Sequence, residues 1–253
     1  MKLTFLGTGT SQGIPVIACN CEVCRSVDFH DQRLRTSVLI EYEGTNLLID
    51  TGPDFRQQML VNRVKRLDAV LYTHEHKDHT AGLDDIRSYN FKQKMDMPLY
   101  GRPSVLDQLK RDYAYMFTES KYPGVASVTL HEIENKPFTI NQVKVQPIEV
   151  MHYQLPVYGY RIGDMAYITD AKTVSNTERE KLKDLDVLVI NALQKKSHIS
   201  HLTLEEAIQF IADINPRRAY ITHVGHYMGL HKDVQNELPE NVYLAYDGLI
   251  LHG

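Results

Sequence analysis

The chain has 253 residues, 43% of them hydrophobic, which is enough for one or two domains with a buried core. Its 28 basic and 32 acidic residues give a formal net charge of −4 at pH 7, which disfavours non-specific binding to nucleic acid. No apolar run approaches the ~20 residues that cross a bilayer, and the first residues lack an apolar signal segment, so we expect a cytoplasmic protein without a membrane partner.

Short β-branched and aliphatic runs, bounded by Gly, Asn, Asp or Pro, predict strands from end to end of the chain. In chain order they cover residues 2–6, 37–42, 46–49, 69–72, 128–130, 143–150, 158–162, 166–169, 187–190, 219–222 and 249–251. Helical spacing predicts helices over residues 84–94, 105–116 and 204–214. Because these helices are interspersed among the strands, we predict a layered α/β (α+β) protein with helices outside stacked sheets. No linker is visible, so we treat residues 1–253 as a single domain.

The helix predicted over residues 204–214 has the clearest pattern. Its apolar side chains recur at the spacing of one helix face, and Thr203 is placed to cap its first turn. Glu205 and Glu206 lie in that first turn, where acidic residues interact favourably with the helix dipole. The pattern indicates an amphipathic helix packed against a sheet.

Four side chains that can bind a metal follow the predicted strand 69–72 within a few residues: His74, His76, Asp78 and His79. Neutral imidazole and carboxylate are common donors to zinc, manganese and iron. A chain that turns out of a strand can direct the first two histidines to one side and the Asp-His pair to another. The segment therefore predicts starting ligands for two ions.

Further donors are needed, because four side chains cannot saturate two metals. His152, Asp170 and His223 each follow directly, or nearly so, on an apolar strand. Side chains at the ends of several strands can converge in one cleft. The repetition of this pattern indicates that these three residues complete a binuclear site.

At these residues the sequence resembles the metallo-β-lactamase superfamily of metal-dependent hydrolases. The resemblance implies a four-layer αββα sandwich, two sets of three ligands and one bridging carboxylate. The first set is His74, His76 and His152, the second is Asp78, His79 and His223, and the bridge is Asp170.

Two further residues bear on the resemblance. Asp50, which ends the run Leu47–Asp50, occupies the place where the family has an acid that orients a ligand histidine, although an ordinary turn at a strand end explains it equally well. Aspartate at position 170, where many β-lactamases carry cysteine, favours the phosphodiesterase and nuclease branches.

All three cysteines lie together as Cys19, Cys21 and Cys24, a spacing that allows three thiolates to bind one ion. A closed zinc site needs a fourth donor, for which His226 is the best candidate. Free thiols and an iron–sulfur cluster are the alternatives, and the latter ordinarily needs four cysteines.

Several motifs together narrow the resemblance to the phosphoribosyl cyclic phosphate phosphodiesterase group. They are Gly7–Pro15, the cysteine cluster, Asp78–Asp85, His201–Ala207 and Tyr246–Gly248. The resemblance implies a structural zinc on Cys19, Cys21, Cys24 and His226, and a catalytic pair of manganese or zinc ions. It also carries the expectation of a homodimer.

We therefore predict a binuclear phosphodiesterase in which a metal-bridged hydroxide attacks a small cyclic phosphate, ribosyl 1,2-cyclic phosphate or nucleotide-like. Asp78 and His201 are the predicted catalytic residues. His201 would act as general acid or as phosphate contact, with His198 as its local competitor. The Tyr- and Lys-rich stretch from Phe91 to Gly124 is expected to shape or cover the cleft.

The alternative is an RNA-processing endonuclease that resembles the tRNA 3′-end ribonuclease. That branch uses an extended arm to hold tRNA, and neither such an insertion nor a positive net charge is present here. A non-catalytic metal-binding protein and a redox enzyme with one iron are disfavoured, because donors for two metals are complete.

Overall fold

The computed structural model describes residues 1–118 and 123–253. In these residues two seven-stranded sheets pack face to face, and helices cover the outer face of each sheet. The predicted αββα sandwich is therefore confirmed. None of the described helices combines the length and the apolar character that crossing a bilayer requires.

The first sheet contains strands from the first half of the chain and one from its end. They are β1 (Lys2–Gly7), β2 (Ser37–Tyr42), β3 (Thr45–Ile49), β4 (Ala69–Leu71), β5 (Met97–Gly101), β6 (Val128–Glu132) and β14 (Ile250–His252). Their order is β14-β1-β2-β3-β4-β5-β6, and β3 to β6 run parallel. The remaining neighbours in this sheet are antiparallel.

The second sheet contains the remaining described strands. They are β7 (Phe138–Ile140), β8 (Val143–His152), β9 (Leu155–Ile162), β10 (Met165–Tyr167), β11 (Val187–Asn191), β12 (Arg218–Thr222) and β13 (Val242–Leu244). Their order is β13-β12-β11-β10-β9-β8-β7, with β10 to β13 parallel.

The helices begin and end at bounds that the sequence predicts only in part. They are α1 (Phe55–Val61), α2 (Lys77–Thr80), α3 (Arg87–Gln93), α4 (Pro103–Asp112), α5 (Asn176–Arg179), α6 (Leu204–Ile214) and α7 (His231–Glu237). Side chains of α1, α3 and α4 pack on the first sheet, and those of α6 and α7 pack on the second. The apolar core between the sheets includes Phe5 and Leu47 from one sheet and Tyr160 and Val189 from the other.

Helix α6 confirms the amphipathic prediction in detail. The Thr203 hydroxyl accepts a hydrogen bond from the Glu206 amide at 3.1 Å, and the Glu206 carboxylate accepts one from the Thr203 amide at 2.8 Å. This reciprocal capping satisfies two backbone donors at the helix start. Leu204, Ala207 and Ile211 are buried in the core against the second sheet.

Several predicted boundaries were wrong, for reasons of length and turn geometry. The predicted helix 84–94 is a 3₁₀ turn (Leu83–Ile86) followed by α3, and the predicted helix 105–116 is α4 followed by a 3₁₀ turn (Ala114–Met116). Strands β5, β7 and β13 and helices α1, α2, α5 and α7 were not predicted. With three to seven residues each, they are too short to show a clear period.

One edge of the sandwich gathers the ends of β3, β4, β10 and β12. Asp50 follows β3, and Asp170 and His223 follow the strands that end at Tyr167 and Thr222. All three have left-handed backbones, with φ of 66°, 58° and 57° respectively. Non-glycine residues adopt this conformation only where the surrounding structure enforces it, and such positions cluster at functional sites. The predicted metal ligands lie at this edge.

Candidate metal centres

Asp50 anchors the loop that carries the His74–His79 motif. Its carboxylate accepts hydrogen bonds from the Thr73 amide at 2.9 Å and the Thr73 hydroxyl at 2.8 Å, and its Oδ2 lies 2.7 Å from His79 Nδ1. Burial raises the pKa of Asp50, although the contacts with His79 and Thr73 oppose the shift. The contact with His79 is the one expected of an orienting acid, and an ordinary turn would not need it.

The residues predicted for the second metal lie together with Asp170. His79 Nε2 is 3.2 Å from Asp78 Oδ2 and 3.3 Å from Asp170 Oδ2. His223 Nε2 is 3.2 Å from Asp170 Oδ1 and 3.9 Å from Asp78 Oδ2. One carboxylate, that of Asp170, thus contacts both histidines with different oxygen atoms.

The residues predicted for the first metal adjoin this group. The ring centroids of His74 and His76 are 4.5 Å apart, and that of His152 lies 5.7 Å and 5.3 Å from them. Donor atoms of His74, His79 and Asp170 all lie within 4.8 Å of one another. Asp170 is therefore adjacent to donors from both predicted sets, and every predicted catalytic ligand lies in this cluster.

Three ligand histidines, His74, His79 and His223, have a buried Nε2 without a hydrogen bond in the described part of the chain. Those of His79 and His223 nevertheless face carboxylate oxygens at 3.2–3.3 Å. Each buried polar atom left in this state costs about 1–3 kcal/mol. Divalent cations would supply the missing partners, so the donor set fits the metals that the fold implies.

The protonation states of the carboxylates also suit cations. Burial alone would raise the pKa of Asp170, but the imidazoles of His223 and His79 outweigh it and hold that pKa well below its usual range. Burial is likewise outweighed at Asp78, mainly by His79, so its pKa is lowered. Both side chains are ionised at neutral pH, as metal ligands must be.

The two buried histidines of the motif differ in their pKa values. Burial, reinforced by His79, lowers the pKa of His74 well below its usual value and keeps its imidazole neutral. Burial would also lower the pKa of His79, but the Asp78, Asp170 and Asp50 carboxylates raise it well above its usual value. A cation bound at His79 would displace that proton.

Three ligand histidines are oriented by a contact at Nδ1. His79 contacts Asp50, His74 Nδ1 lies 3.0 Å from the Thr73 hydroxyl, and His152 Nδ1 lies 3.0 Å from the carbonyl oxygen of Ser200. Such contacts fix ring orientation and leave Nε2 for a metal. Sequence reasoning missed Thr73 and Ser200. The position of Thr73 directly before His74 is a weak sequence signal for its role. The Ser200 carbonyl belongs to the backbone, so the residue type gives no signal for it.

His201 lies closer to the cluster than the sequence suggests. Its ring centroid is 4.6 Å from that of His152 and 4.9 Å from that of His223, and its Nδ1 is 3.8 Å from Asp170 Oδ1. Burial, reinforced by His223, lowers the pKa of His201 to about 3. The His198 ring lies 5.1 Å from that of His201, tilted against it, and is less buried, so His201 is the better placed of the two candidates. The stretch 91–124, predicted to shape or cover the cleft, includes residues 119–122, which lie outside the described residues.

The cysteine cluster forms a second, separate donor set. His226 Nδ1 lies 3.3 Å, 3.4 Å and 3.6 Å from the sulfur atoms of Cys19, Cys21 and Cys24. Tetrahedral zinc, with bonds of about 2.3 Å to sulfur and about 2.0 Å to nitrogen, separates such donors by roughly 3.5 Å. The four side chains therefore fit one zinc ion, with no position left open.

The thiols of this cluster have divergent pKa values. A hydrogen bond from the Cys24 amide, with help from His226, lowers the pKa of Cys21 to about 6 against the effect of burial. Burial raises the pKa of Cys24 to about 11. A bound cation would be needed to ionise Cys24 at neutral pH.

Fold and donor clusters together define a metal-dependent hydrolase of the metallo-β-lactamase fold. Residues 45–224 match the beta-lactamase superfamily domain, and the chain belongs to that superfamily.

The chain is similar to several other proteins. A crystal structure described as a new diphosphatase from the PhnP family is 37% identical, with a TM-score of 0.93 over 100% of this chain and 97% of that one. An octanoyltransferase of Porphyromonas gingivalis is 42% identical over 98% of this chain and 51% of its own length. A ribonuclease Z of Methanococcus aeolicus is 26% identical over 75% of this chain and 52% of its own length. The chain thus spans about half the length of these two curated relatives.

Proposed function

We propose that the protein is a phosphodiesterase that opens a small cyclic phosphate, either ribosyl 1,2-cyclic phosphate or a nucleotide-like one, with two divalent cations. The observation that carries the proposal is the position of Asp170, whose two oxygen atoms contact His79 and His223 while His74 and His152 adjoin it. A carboxylate shared in this way is suited to hold two ions close together.

The ligand assignment follows the two groups of side chains. His74, His76 and His152 would hold one ion, Asp78, His79 and His223 the other, and Asp170 both. Manganese and zinc each accept this nitrogen and oxygen donor set. When bound, such a pair lowers the pKa of water and neutralises phosphoryl oxygens.

The chain's own groups orient the ligands and contact the substrate. Asp50, Thr73 and the Ser200 carbonyl fix three imidazole rings. His201, at the edge of the cluster, would donate a hydrogen bond to a phosphoryl oxygen as a neutral imidazole, or a proton to the leaving alkoxide once the negative charge of the bound phosphate has raised the pKa that burial lowers. The set Cys19, Cys21, Cys24 and His226 would hold a structural zinc, since it has no open position for substrate.

A second candidate is hydrolysis of a diphosphate. The observation that favours it is the PhnP-family diphosphatase, which is 37% identical over almost the whole of both chains. The two reactions differ in the leaving group: a cyclic ester releases an alkoxide, which needs a proton, and a diphosphate releases a phosphate, which does not. An RNA-processing endonuclease remains the third candidate through the similarity to ribonuclease Z, but the net charge of −4 gives little attraction for RNA.

The deciding experiment is a substrate comparison with the Mn²⁺- and Zn²⁺-loaded protein. The panel contains ribose 1,2-cyclic phosphate, a nucleoside 2′,3′-cyclic phosphate, a dinucleoside diphosphate and a tRNA precursor with a 3′ extension. We expect the highest kcat/KM for one of the two cyclic phosphates. A higher value for the diphosphate would replace the proposal with the second candidate, and a higher value for the precursor with the third.

A further inference from the structure

His223 differs from the other buried ligand histidines in how its ring is held. Among the described residues, neither of its ring nitrogens makes a hydrogen bond, although both are buried. Its Nε2 faces Asp170, so Nδ1 is the atom that would ordinarily contact an orienting group. His74, His79 and His152 all have such a contact. Apart from stacking of its ring on that of His201, the orientation of His223 therefore depends on its backbone.

The backbone of His223 is strained, and the residues that follow it are hydrogen-bonded to two other segments of the chain. Its φ of 57° lies in the left-handed region, which a non-glycine residue leaves unless its neighbours enforce it. The Val224 amide donates to the Thr8 carbonyl at 2.9 Å, and the Val224 carbonyl accepts from the Thr10 amide at 3.0 Å. The Gly225 amide donates to the Leu193 carbonyl at 2.9 Å. These bonds fix Val224 and Gly225, the two residues that connect His223 to His226.

His226 joins this segment to the cysteine cluster. Its Nδ1 is the common neighbour of the three cysteine sulfur atoms. The loop that carries the cysteines packs on Ile14. Ile14 follows closely on the Thr8–Thr10 segment, which is hydrogen-bonded to Val224. A metal bound by the four side chains would therefore hold the cysteine loop, which follows the Thr8–Thr10 segment, and His226, which follows Gly225, in fixed positions.

We infer that the cysteine–His226 site positions His223, and that its occupancy sets the affinity of the second catalytic cation. The inference rests on the proposed function, because it assumes a second cation held by Asp78, His79 and His223. The site replaces the orienting hydrogen bond that His223 lacks. His226 is thus a positioning residue, since it acts on the catalytic centre only through His223.

The test measures Mn²⁺ binding to wild type and to Cys21→Ser. Titration calorimetry gives both affinities, and electron paramagnetic resonance separates a lone Mn²⁺ from a coupled pair. We expect Cys21→Ser to lose zinc, to retain the first Mn²⁺, and to bind the second 10–100-fold more weakly, the usual loss when an orienting partner of a ligand histidine is removed. The coupled-pair signal should be replaced by that of a single Mn²⁺.

Ile162→Ala is the matched control. Ile162 is fully buried in the core between the sheets at the end of β9, away from the cysteine cluster. This variant destabilises the fold without touching the zinc donors, and we expect both Mn²⁺ affinities to be unchanged. The inference is overturned if zinc-free Cys21→Ser binds both Mn²⁺ ions as wild type does. It is also overturned if Ile162→Ala lowers the affinity for the second Mn²⁺ as much as Cys21→Ser does.

Cys21→Asp keeps the inference testable if Cys21→Ser does not fold. The aspartate retains a weaker donor, so the occupancy of the site can be set by titration with Co²⁺, whose thiolate absorption reports this site alone. Linkage requires that the second Mn²⁺ and this ion tighten each other's binding by the same factor. Independent titrations would overturn the inference. A wild type that binds only one Mn²⁺ would overturn the binuclear function itself, which is a distinguishable result.

Discussion

The Asp170 cluster and the cysteine cluster approach within three residues along the chain, at His223 and His226, yet they are held in different ways. The first uses donors from four separate segments of the chain, and three of its histidines have a buried Nε2 that makes no hydrogen bond within the described residues. The second uses three thiols from one short loop and a single imidazole. The comparison teaches that the Asp170 cluster is arranged as an open site, where ligands at the metal can exchange. The cysteine cluster is arranged as a closed site that stabilises a loop.

The largest expected effect is on activity, at Asp170. Asp170→Ala should lower hydrolysis of bis(p-nitrophenyl) phosphate by about 10³-fold or more, because it removes the carboxylate shared by the two ions. The companion Asp170→Asn keeps the tendency toward a left-handed backbone, and it should be equally inactive with an unchanged Tm. Full turnover in either variant, measured at saturating Mn²⁺, would contradict the bridging role.

The next effect is on stability, at the cysteine cluster. Cys21→Ser should remove one tightly held zinc ion per chain, because metal binding at such a site is folding free energy. A loss of even ~3 kcal/mol would lower the Tm by roughly 6–12 °C. Elemental analysis and a thermal melt check both statements. Unchanged zinc content would erase the distinction between the two clusters.

A smaller effect is expected at the acid that orients His79. Asp50→Asn should lower the affinity for the second Mn²⁺ by about 10–100-fold, since His79 loses its charged partner. Asp68→Asn is the matched control, because Asp68 is a buried carboxylate that pairs with Arg66 away from the cluster. Calorimetry should show the loss only in the first variant. Equal affinities in both variants would return Asp50 to the alternative of an ordinary turn.

The smallest effect concerns the leaving group. His201→Ala should slow an alkyl ester about 10-fold more than a p-nitrophenyl ester, because only the alkoxide needs a proton. The comparison uses kcat/KM for methyl p-nitrophenyl phosphate and for a cyclic ribose phosphate. Equal losses on the two substrates would assign His201 to phosphate binding instead of acid catalysis.

Much of the site could be predicted from local spacing. The His74–His79 motif follows a strand, and strand ends pointed to Asp170 and His223. The division of the motif into two pairs of donors followed from the turn out of the strand, and the assignment of His152, Asp170 and His223 came from the resemblance. The sequence also joined the cysteines to His226, although about 200 residues separate them, because a closed zinc site needs a fourth donor.

The remaining features depend on packing that no local pattern records. Strand β5 contains Pro98, and β13 has three residues, so neither shows the alternation of a strand. The left-handed backbones of Asp170 and His223 arise from contacts with segments distant in sequence, since neither residue type requires them. The Ser200 carbonyl orients His152 as a backbone group, for which any residue type would serve.

The central claim is that the chain holds an open pair of cations and one closed zinc. Anomalous diffraction from crystals of the metal-loaded protein, collected at the manganese and zinc absorption edges, tests it directly. The account predicts two peaks on either side of the Asp170 carboxylate and a zinc peak surrounded by Cys19, Cys21, Cys24 and His226. A single peak at Asp170, or none among the cysteines, would contradict it.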